Sequence, residues 1–480
     1  MPNAAIKKRA AGAREANQLL ETLEERFRSA GRPIEVKFRD LCSSWPWAKR
    51  SDVYTHLIHR YSAKILPYIP ILFLSSDLYV EPGEPVADVF AGTGTVLLES
   101  SIHPFFPRPS YGIEINPLAR LIAQVKVTPL EPAGLRLLAD DIAAITSASP
   151  RADIPSYSQI DYWFPAPAQR GLGRVKRVID HHVRSAPHRD FFRICLAATV
   201  RKCSFADPEI PPPVRLRPEK YAPNSERRSN AERHLHRVET HDPITVFLAC
   251  AKRNIARMEH FWRAWQTHPS PQQARIVWDD ATSLRRAGTG ERGELMKRTS
   301  RPFPDGSCGA VITSPPYGTA QKYVRNTKLE MLWLGLIRED EISSLDRRSI
   351  GTEKALWSEY SNIPKFPNTL IHETIQRIAR RSQYRAALTY KYFSGLRDTI
   401  HETYRILRDD GHLIMVIGDN VVSGIPVANH ELLTALANEA GFTLRMLLRD
   451  SLQSRGMITT RHHTGGLVTD DWVVVLQKQH

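Results

Sequence analysis

A short apolar segment, followed at once by a glycine-rich turn and then by a helical pattern, constrains the fold of this chain more than any other feature. Residues 85–90 have the composition of a buried strand, residues 91–95 (Ala-Gly-Thr-Gly-Thr) form the glycine turn, and residues 96–99 begin the helix. The two glycines let the backbone turn tightly without a Cβ in the way. Residues 111–114 have the pattern of a second strand, so the sequence predicts a strand–helix–strand unit.

The glycine turn favours a small ligand that carries adenosine. Gly92 and Gly94 are present, but Leu97 occupies the position of the third glycine in the dinucleotide fingerprint, which argues against a pyrophosphate cofactor. Glu114 ends the second strand, where a carboxylate can accept hydrogen bonds from both ribose hydroxyls. The alternative is an ordinary strand–helix–strand unit whose glutamate caps the next helix, which is predicted to start at Asn116 and Pro117.

A second motif, residues 314–317, follows the apolar run 309–313 and is called the Ser-Pro-Pro-Tyr lip. Its two prolines fix φ and lack N–H groups, which predicts a rigid lip whose carbonyls have no nearby donors. Ser314 adds a hydroxyl group and Tyr317 adds a flat aromatic face. Such a lip suits an exocyclic amine on a flat ring, although an isolated motif of this kind is also typical of a turn that closes a strand.

Together, the glycine turn and the lip resemble motifs of the amino-group DNA methyltransferases that use S-adenosyl-L-methionine. The version with serine in the first position is similar to the branch that methylates the N4 amine of cytosine. The resemblance implies an α/β, Rossmann-like class I methyltransferase fold with a mostly parallel seven-stranded sheet and a largely helical insertion. It also implies that the catalytic residues are Ser314, Pro315, Pro316 and Tyr317.

Further segments extend the resemblance. Residues 59–67 resemble the motif that walls the methionine end of the cofactor, and residues 274–281 resemble the third strand, whose terminal acid holds the adenine amine. Late strands of the same sheet match residues 411–419 and 471–476. The implied cofactor-binding residues are Tyr61, Lys64, Asp88, Phe90, Gly92, Gly94, Glu114 and Asp280. Asp140 and Asp141 are rivals for the third-strand acid, but they lie within a helical pattern.

The matching segments divide the chain into three parts. Residues 1–50 are expected to form an N-terminal helical extension, and residues 51–128 with 274–480 are expected to form the catalytic domain. Residues 129–273 are expected to form a helical insertion, where the family usually places its recognition segment elsewhere. The insertion is therefore a candidate for the DNA-recognition region.

The charge of the chain predicts a polyanionic partner. Its formal net charge is +15 and its sequence pI is near 9.6, which favours nucleic acid, and the resemblance makes double-stranded DNA the expected partner. Arginine side chains that contact phosphates would position a duplex without reading its sequence. The arginine-dense stretches are residues 170–189, 193–202, 215–237, 285–301 and 377–385.

Several other classes of protein are disfavoured. The five cysteines include no C-x-x-C pair, so neither a zinc ribbon nor a disulfide framework is expected, and a reducing, cytoplasmic setting follows. No cysteine follows a proline, which excludes the covalent nucleophile of C5-cytosine methylation. No apolar run approaches the length of a membrane span, the start lacks the apolar stretch of a signal peptide, and the histidine spacings predict no metal site.

The expected chemistry is methyl transfer to a base amine. A base inside a duplex cannot reach the lip, so a target cytosine would be rotated out of the helix and stacked on Tyr317. The expected setting is a restriction–modification or phage-defence system, in which a cognate restriction endonuclease is an open second partner. Adenine N6 in DNA, guanine N2 in RNA and a catalytically inactive binding protein of the same fold stay as alternatives, and the oligomeric state stays open.

Overall fold

The computed structural model describes residues 2–42, 45, 53–61, 64–284, 303–318, 323–451 and 470–479. The arginine-dense stretch 285–301 lies outside the described residues, as do residues 62 and 63 of the predicted cofactor-wall motif. The described strands are β1 Ile34–Glu35, β2 Val86–Asp88, β3 Ser110–Ile113, β4 Ala274–Trp278, β5 Cys308–Thr313, β6 Leu407–Gly418, β7 Asn420–Val422, β8 Ile425–Val427, β9 Phe442–Ser451 and β10 Asp470–Lys478.

Eight of these strands form one sheet in the order β1-β9-β10-β6-β5-β2-β3-β4, and β7 pairs with β8 apart from it. Within the sheet, β10 runs antiparallel to β6 and β9, and the other neighbouring strands are parallel. The predicted α/β class with a mostly parallel sheet is confirmed. The predicted count of seven strands is one too low, because the two-residue strand β1 adds to the edge beside β9.

Eighteen α-helices connect and cover the strands in the described part of the chain. They are α1 Pro2–Ala30, α2 Phe38–Leu41, α3 Tyr68–Leu74, α4 Thr95–Ser101, α5 Pro117–Val127, α6 Pro132–Ala148, α7 Ile160–Trp163, α8 Ala166–His182, α9 Ala186–Lys202, α10 Glu226–Thr240, α11 Pro243–Thr267, α12 Tyr323–Asn326, α13 Lys328–Trp333, α14 Ile342–Arg348, α15 Trp357–Ser361, α16 Thr369–Ala379, α17 Gln383–Ile406 and α18 Asn429–Glu439. Short 3₁₀ turns occur at Pro218–Lys220 and Glu339–Glu341. None of the described helices combines the length and the apolar sequence that a bilayer crossing requires.

Alternating side chains of the central strands enter two different cores, as the two-residue period of a strand requires. Ala310 and Ile312 of β5 pack with α1 and α3 on one face, whereas Val311 packs with α16, α17 and α18 on the other. Every residue of β5 is buried, which is typical of a central parallel strand that helices cover on both faces. The sheet is therefore the middle layer of a three-layer α/β architecture.

Helices α6 to α11 lie between β3 and β4 in sequence, within the expected insertion. Apolar side chains of α6, α7, α8, α9 and α11 pack with α4 and α5 in a third buried cluster, which includes Leu172 of α8, Phe192 of α9 and Phe247 of α11. The helical pattern predicted around residues 135–145 is confirmed by α6. The insertion is thus joined to the β2–β3 part of the sheet through α5, the helix that follows β3.

The strand order places one crevice at the carboxyl edge of the sheet. The chain leaves β2 through α4 to reach β3 on one side, whereas β5 pairs with β2 on its other side. In open parallel sheets, ligands bind at the carboxyl ends of the strands where the strand order reverses in this way. Both sequence motifs lie at this point, because the glycine turn follows β2 and the Ser-Pro-Pro-Tyr lip follows β5.

Candidate active site

The glycine turn is a left-handed bend between β2 and α4. Gly92 has φ +50° and Gly94 has φ +72°, a region that side chains with a Cβ rarely adopt. A Cβ at Gly94 would lie 3.0 Å from the Cβ of Ala123, so glycine is also needed there for close packing against α5. A Cβ at Gly92 would meet only the carbonyl oxygen of Phe90, at 3.9 Å, so this side of the turn faces open space.

Glu114 follows β3 and is held beside the glycine turn by two backbone amides. The amide of Gly92 donates to its Oε2 at 2.8 Å, and the amide of Asn116 donates to its Oε1 at 2.7 Å. Burial raises the pKa of the Glu114 carboxyl, while the amides of Asn116 and Gly92 act in the opposite direction. Each carboxylate oxygen has a second lone pair, so Glu114 can still accept a hydrogen bond from a hydroxyl group of a ligand. The predicted helix start is confirmed, because Asn116 caps α5.

Asp88 and Thr313 join the two motifs across the crevice. The Thr313 hydroxyl donates to Oδ1 of Asp88 at 2.7 Å, and the amide of Phe90 donates to both side chains, at 3.0 Å to Thr313 and 3.2 Å to Asp88. Asp88 is 2% exposed, and burial raises the pKa of its carboxyl to about 7 despite these hydrogen bonds. Asp88 therefore holds the start of the glycine turn in a fixed position relative to the end of β5.

Side chains of the Ser-Pro-Pro-Tyr lip are hydrogen-bonded to two other strands of the sheet, β6 and β10. Ser314 donates its hydroxyl proton to the carbonyl of Val416 in β6 at 3.0 Å, which leaves lone pairs on Oγ as acceptors. Tyr317 donates to Oδ1 of Asp471 in β10 at 3.2 Å. Burial raises the pKa of the Tyr317 phenol well above its usual value, and the Asp471 carboxylate raises it further.

One expectation for the lip is wrong. Its carbonyls were predicted to lack nearby donors, but the carbonyl of Pro316 accepts from the Tyr392 hydroxyl at 2.7 Å and from the Gly318 amide at 3.0 Å. The prolines remove donors only within the lip, and α17 supplies one from a distant part of the sequence. Both lone pairs of the Pro316 carbonyl are therefore used within the protein, which removes it as an acceptor for a ligand.

Tyr61 and Lys64, predicted to bind the cofactor, precede the glycine turn in sequence. Tyr61 is half-buried, and the pKa of its phenol is raised by burial and then by the nearby Glu114 carboxylate. Lys64 donates from Nζ to the carbonyls of His56 and His59 at 3.0 and 3.1 Å. Burial lowers the pKa of Lys64 to about 8, and the positive charge of Arg257 lowers it too.

The acids after β4 have different partners. Asp280 accepts through Oδ1 from the amide and hydroxyl of Thr282, at 2.9 and 2.6 Å. Its neighbour Asp279 forms ion pairs with Arg120 at 3.4 Å and Arg348 at 3.7 Å. The rivals at positions 140 and 141 are exposed on α6, in the insertion.

Sequence reasoning missed a buried polar group beneath the glycine turn. Lys126 of α5 is fully buried and donates from Nζ to the hydroxyl of Thr93 at 3.3 Å. Beside it, His56 Nε2 and Glu99 Oε1 lie 2.6 Å apart, and burial lowers the pKa of His56, which favours a neutral ring that donates to the carboxylate. A lysine inside the apolar run of α5 was the only signal of this group in the sequence.

The arrangement fits a cofactor that carries adenosine. Gly92 leaves space in front of the turn, and Glu114 fixes a carboxylate beside that space. The described residues contain no group of histidines, cysteines and carboxylates that could hold a metal ion.

Comparisons with known proteins find one similarity over most of the chain and another over a shorter segment. Over 400 residues, 80% of each chain, the protein is 23% identical to the type II methyltransferase M.MvaI of Kocuria varians. Over 157 residues it is 30% identical to the type II methyltransferase M.AvaI of Nostoc sp. strain PCC 7120 and of Anabaena variabilis, which covers 29% of this chain and 31% of each relative. No family model matches the chain. The similarities support a methyltransferase, which is the class that the two motifs predicted.

Proposed function

We propose that this protein is a site-specific DNA methyltransferase that transfers a methyl group from S-adenosyl-L-methionine to the N4 amine of a flipped cytosine in double-stranded DNA. We place it in the cytoplasm, as the modification enzyme of a restriction–modification or defence system. One observation carries the proposal. The Phe90 amide donates to Thr313, the residue before Ser314, so the cofactor-side turn and the base-side lip meet in one crevice. Similarity to type II methyltransferases supports the same reaction class.

The cofactor side of the crevice would be built from backbone shape and fixed acids. Glu114 would accept the ribose hydroxyls, Asp280 would accept the adenine amine, and the turn at Gly92 would admit the ligand without a side-chain clash. Tyr61 and Lys64 would wall the methionine end. S-adenosyl-L-methionine, when bound, supplies an electrophilic methyl group on a sulfonium, so the protein need not form a covalent intermediate.

The base side would make a poor nucleophile reactive. The lone pair of a cytosine amine is delocalised into the ring, so the protein must hold the amine in a geometry where that lone pair points at the methyl group. The Ser314 hydroxyl already donates its proton to the carbonyl of Val416, so its oxygen would accept a hydrogen bond from one N–H of the amine. The Pro315 carbonyl would accept the hydrogen bond from the other N–H. Tyr317 would stack on the ring. Good orientation of reacting groups supplies up to roughly 7–11 kcal/mol of a barrier.

A DNA-contacting surface in the insertion is part of the proposal. Several basic side chains of α8 and α9 are already engaged, as in the ion pairs of Arg177 with Asp153 and of Arg193 with Asp180. Helix α10 presents exposed arginines at positions 227, 233 and 237, and the side-chain hydrogen bonds of Arg233 and Arg237 stay within their own helix. We therefore assign phosphate contacts in the insertion to α10, which would position the duplex without reading its sequence.

Mass spectrometry of nucleosides tests the proposal. DNA incubated with the protein and S-adenosyl-L-methionine should contain N4-methylcytosine. N6-methyladenine would keep the site and the mechanism but overturn the base assignment that rests on serine at position 314. Methylguanosine in RNA would overturn the DNA assignment. No methylated nucleoside in either nucleic acid would favour an inactive binding protein of the same fold.

A further inference from the structure

A pair of exposed apolar side chains lies in the chain segment that follows the lip. Leu356 is 53% exposed and Trp357, at the start of α15, is 72% exposed. Among the described residues, Trp357 is the most exposed of the large apolar side chains. Trp is usually well buried because its ring removes a large apolar area from water, so this exposure indicates a surface that is covered in a complex.

Hydrogen bonds and an ion pair hold the segment that carries Trp357 against α17. The Tyr384 hydroxyl of α17 donates to the carbonyl of Glu353 at 2.6 Å, just before the exposed pair. Just after it, Glu359 accepts from the amide of Leu356 at 2.5 Å and pairs with Lys391 of α17 at 2.8 Å. The segment is therefore fixed to α17 on both sides of Leu356 and Trp357.

The same helix fixes the Ser-Pro-Pro-Tyr lip. Tyr392 follows Lys391 in α17 and donates to the carbonyl of Pro316. A Cβ at Gly351 would lie 2.6 Å from the carbonyl oxygen of Gly318, so the segment and the end of the lip are in backbone contact. Trp357 lies six positions after Gly351, a span of at most roughly 22 Å. A duplex whose base occupies the lip would therefore lie within reach of Trp357.

Exposed cations lie near Trp357 in sequence. Lys354 and Lys365 are exposed on either side of the pair. Lys354 also lies 3.9 Å from Asp346, and the Glu359 carboxylate is paired with Lys391. Arg377, Arg380 and Arg381 are exposed where α16 meets α17, close to the Tyr384 anchor. Exposed cations beside an apolar side chain are the combination found in proteins that insert a wedge between base steps of DNA.

We propose that Trp357, supported by Leu356, inserts into double-stranded DNA at the position that the target base leaves when it rotates into the lip. This inference rests on the proposed function and adds the step that opens the duplex. A base that leaves the stack exposes the faces of its two neighbours and loses its pairing partner. The indole ring would cover those faces, which lowers the free energy of the flipped state relative to the closed duplex.

Trp357→Ala tests the proposal with matched controls. The recognition sequence is first read from DNA that the wild-type protein has methylated, and two duplexes are then made. One is fully paired, and in the other the target base faces an abasic site, so that the base is already unpaired. We expect Trp357→Ala to lower kcat/KM on the paired duplex by about 10–100-fold and to recover most of it on the abasic duplex. Trp357→Phe should keep most of the activity.

Leu78→Ala is the control for loss of an exposed apolar side chain, because Leu78 is 48% exposed and lies between α3 and β2, outside the insertion. It should leave both duplexes unaffected. Unchanged activity of Trp357→Ala on the paired duplex, or an equal loss on both duplexes, would overturn the wedge and would favour a protein partner or a folding role for this surface. A wild-type protein that methylates no DNA would instead overturn the proposed function, and the wedge with it.

Discussion

The glycine turn and the Ser-Pro-Pro-Tyr lip lie at the ends of neighbouring strands, but they contribute to the site in different ways. In the turn, the amides of Phe90 and Gly92 donate to protein side chains, and what the turn offers a ligand is space. In the lip, Ser314 donates its proton to Val416 and offers a ligand its oxygen lone pairs. The comparison teaches that the proposed cofactor side depends on backbone conformation in the turn and on the acids fixed beside it, whereas the proposed base side depends on individual atoms of the lip.

The largest expected effect comes from breaking the turn. We expect Gly92→Val to abolish binding of S-adenosyl-L-methionine, because a β-branched residue is strained at φ +50° and its side chain would occupy the open side. Isothermal titration measures the loss. Gly83→Val is the matched control, since Gly83 has φ +87° and open space around it but precedes β2, away from the carboxyl edge. Unchanged titration of Gly92→Val would remove the turn from the cofactor site.

The lip should respond to the loss of a single oxygen atom. We expect Ser314→Ala to reduce methyl transfer by about 100-fold, a typical loss when one oriented hydrogen-bonding group is removed from a reacting centre. Affinity for the cofactor should stay near the wild-type value, because Ser314 bonds to β6 and not to the turn. Ser307→Ala, at the opposite end of β5, is the control and should retain full activity. Full activity of Ser314→Ala would show that its oxygen is not needed.

A smaller effect is expected at the adenine end of the cofactor site. Asp280→Asn keeps an oxygen for Thr282 but replaces an acceptor by a donor, so we expect cofactor affinity to fall about tenfold, the equivalent of one lost hydrogen bond. Asp141→Asn alters the rival position and should have no effect. If titration showed the reverse pattern, the third-strand acid would be in the insertion.

The smallest effect on activity is expected at Asp88, which accepts the hydrogen bond from Thr313 that joins the two regions. Its role should be seen instead in how the free energy of unfolding depends on pH. The pKa of Asp88 is raised to about 7 in the folded protein, against about 3.9 in an unfolded chain. Its contribution to stability is therefore complete below about pH 4 and is lost as the pH rises through about 7. Asp88→Asn keeps an acceptor for Thr313 and removes the charge.

We therefore expect the free energy of unfolding of Asp88→Asn to fall less between these pH values than that of the wild type, by on the order of 3 kcal/mol. Urea unfolding at pH 4.5 and 7.5 measures the difference. Asp140→Asn is the control, because that carboxyl is exposed on α6. Parallel pH curves for Asp88→Asn and the wild type would contradict a buried Asp88 whose pKa is raised to about 7.

The sequence predicted local features well, because each is set by neighbouring residues. The left-handed glycines, the helix start at Asn116 and the buried strand before the lip all follow from short-range rules. It could not predict what reaches these features from elsewhere. Tyr317 bonds to Asp471, 154 residues away, and Pro316 bonds to Tyr392, 76 residues away. Such contacts depend on how β10 and α17 pack, which no local pattern in the sequence specifies.

Buried ionisable side chains were the other feature that the sequence could not predict. Lys126 interrupts an apolar helix face, and a single sequence gives no partner for it, so its bond to Thr93 beneath the glycine turn could not be anticipated. The same holds for the pair of His56 and Glu99. These residues come from three separate segments that become neighbours only when α4 and α5 pack together.

A single-turnover experiment with Tyr317→Ala tests the division of roles between the two regions most directly. Cofactor affinity and the rate of methyl transfer to DNA are measured on the same preparation, with Tyr317→Phe as the control that keeps the ring and loses the bond to Asp471. We predict that Tyr317→Ala slows transfer by about 10–100-fold through lost stacking, keeps wild-type cofactor affinity, and differs clearly from Tyr317→Phe. A parallel loss of cofactor affinity and transfer rate would contradict the account.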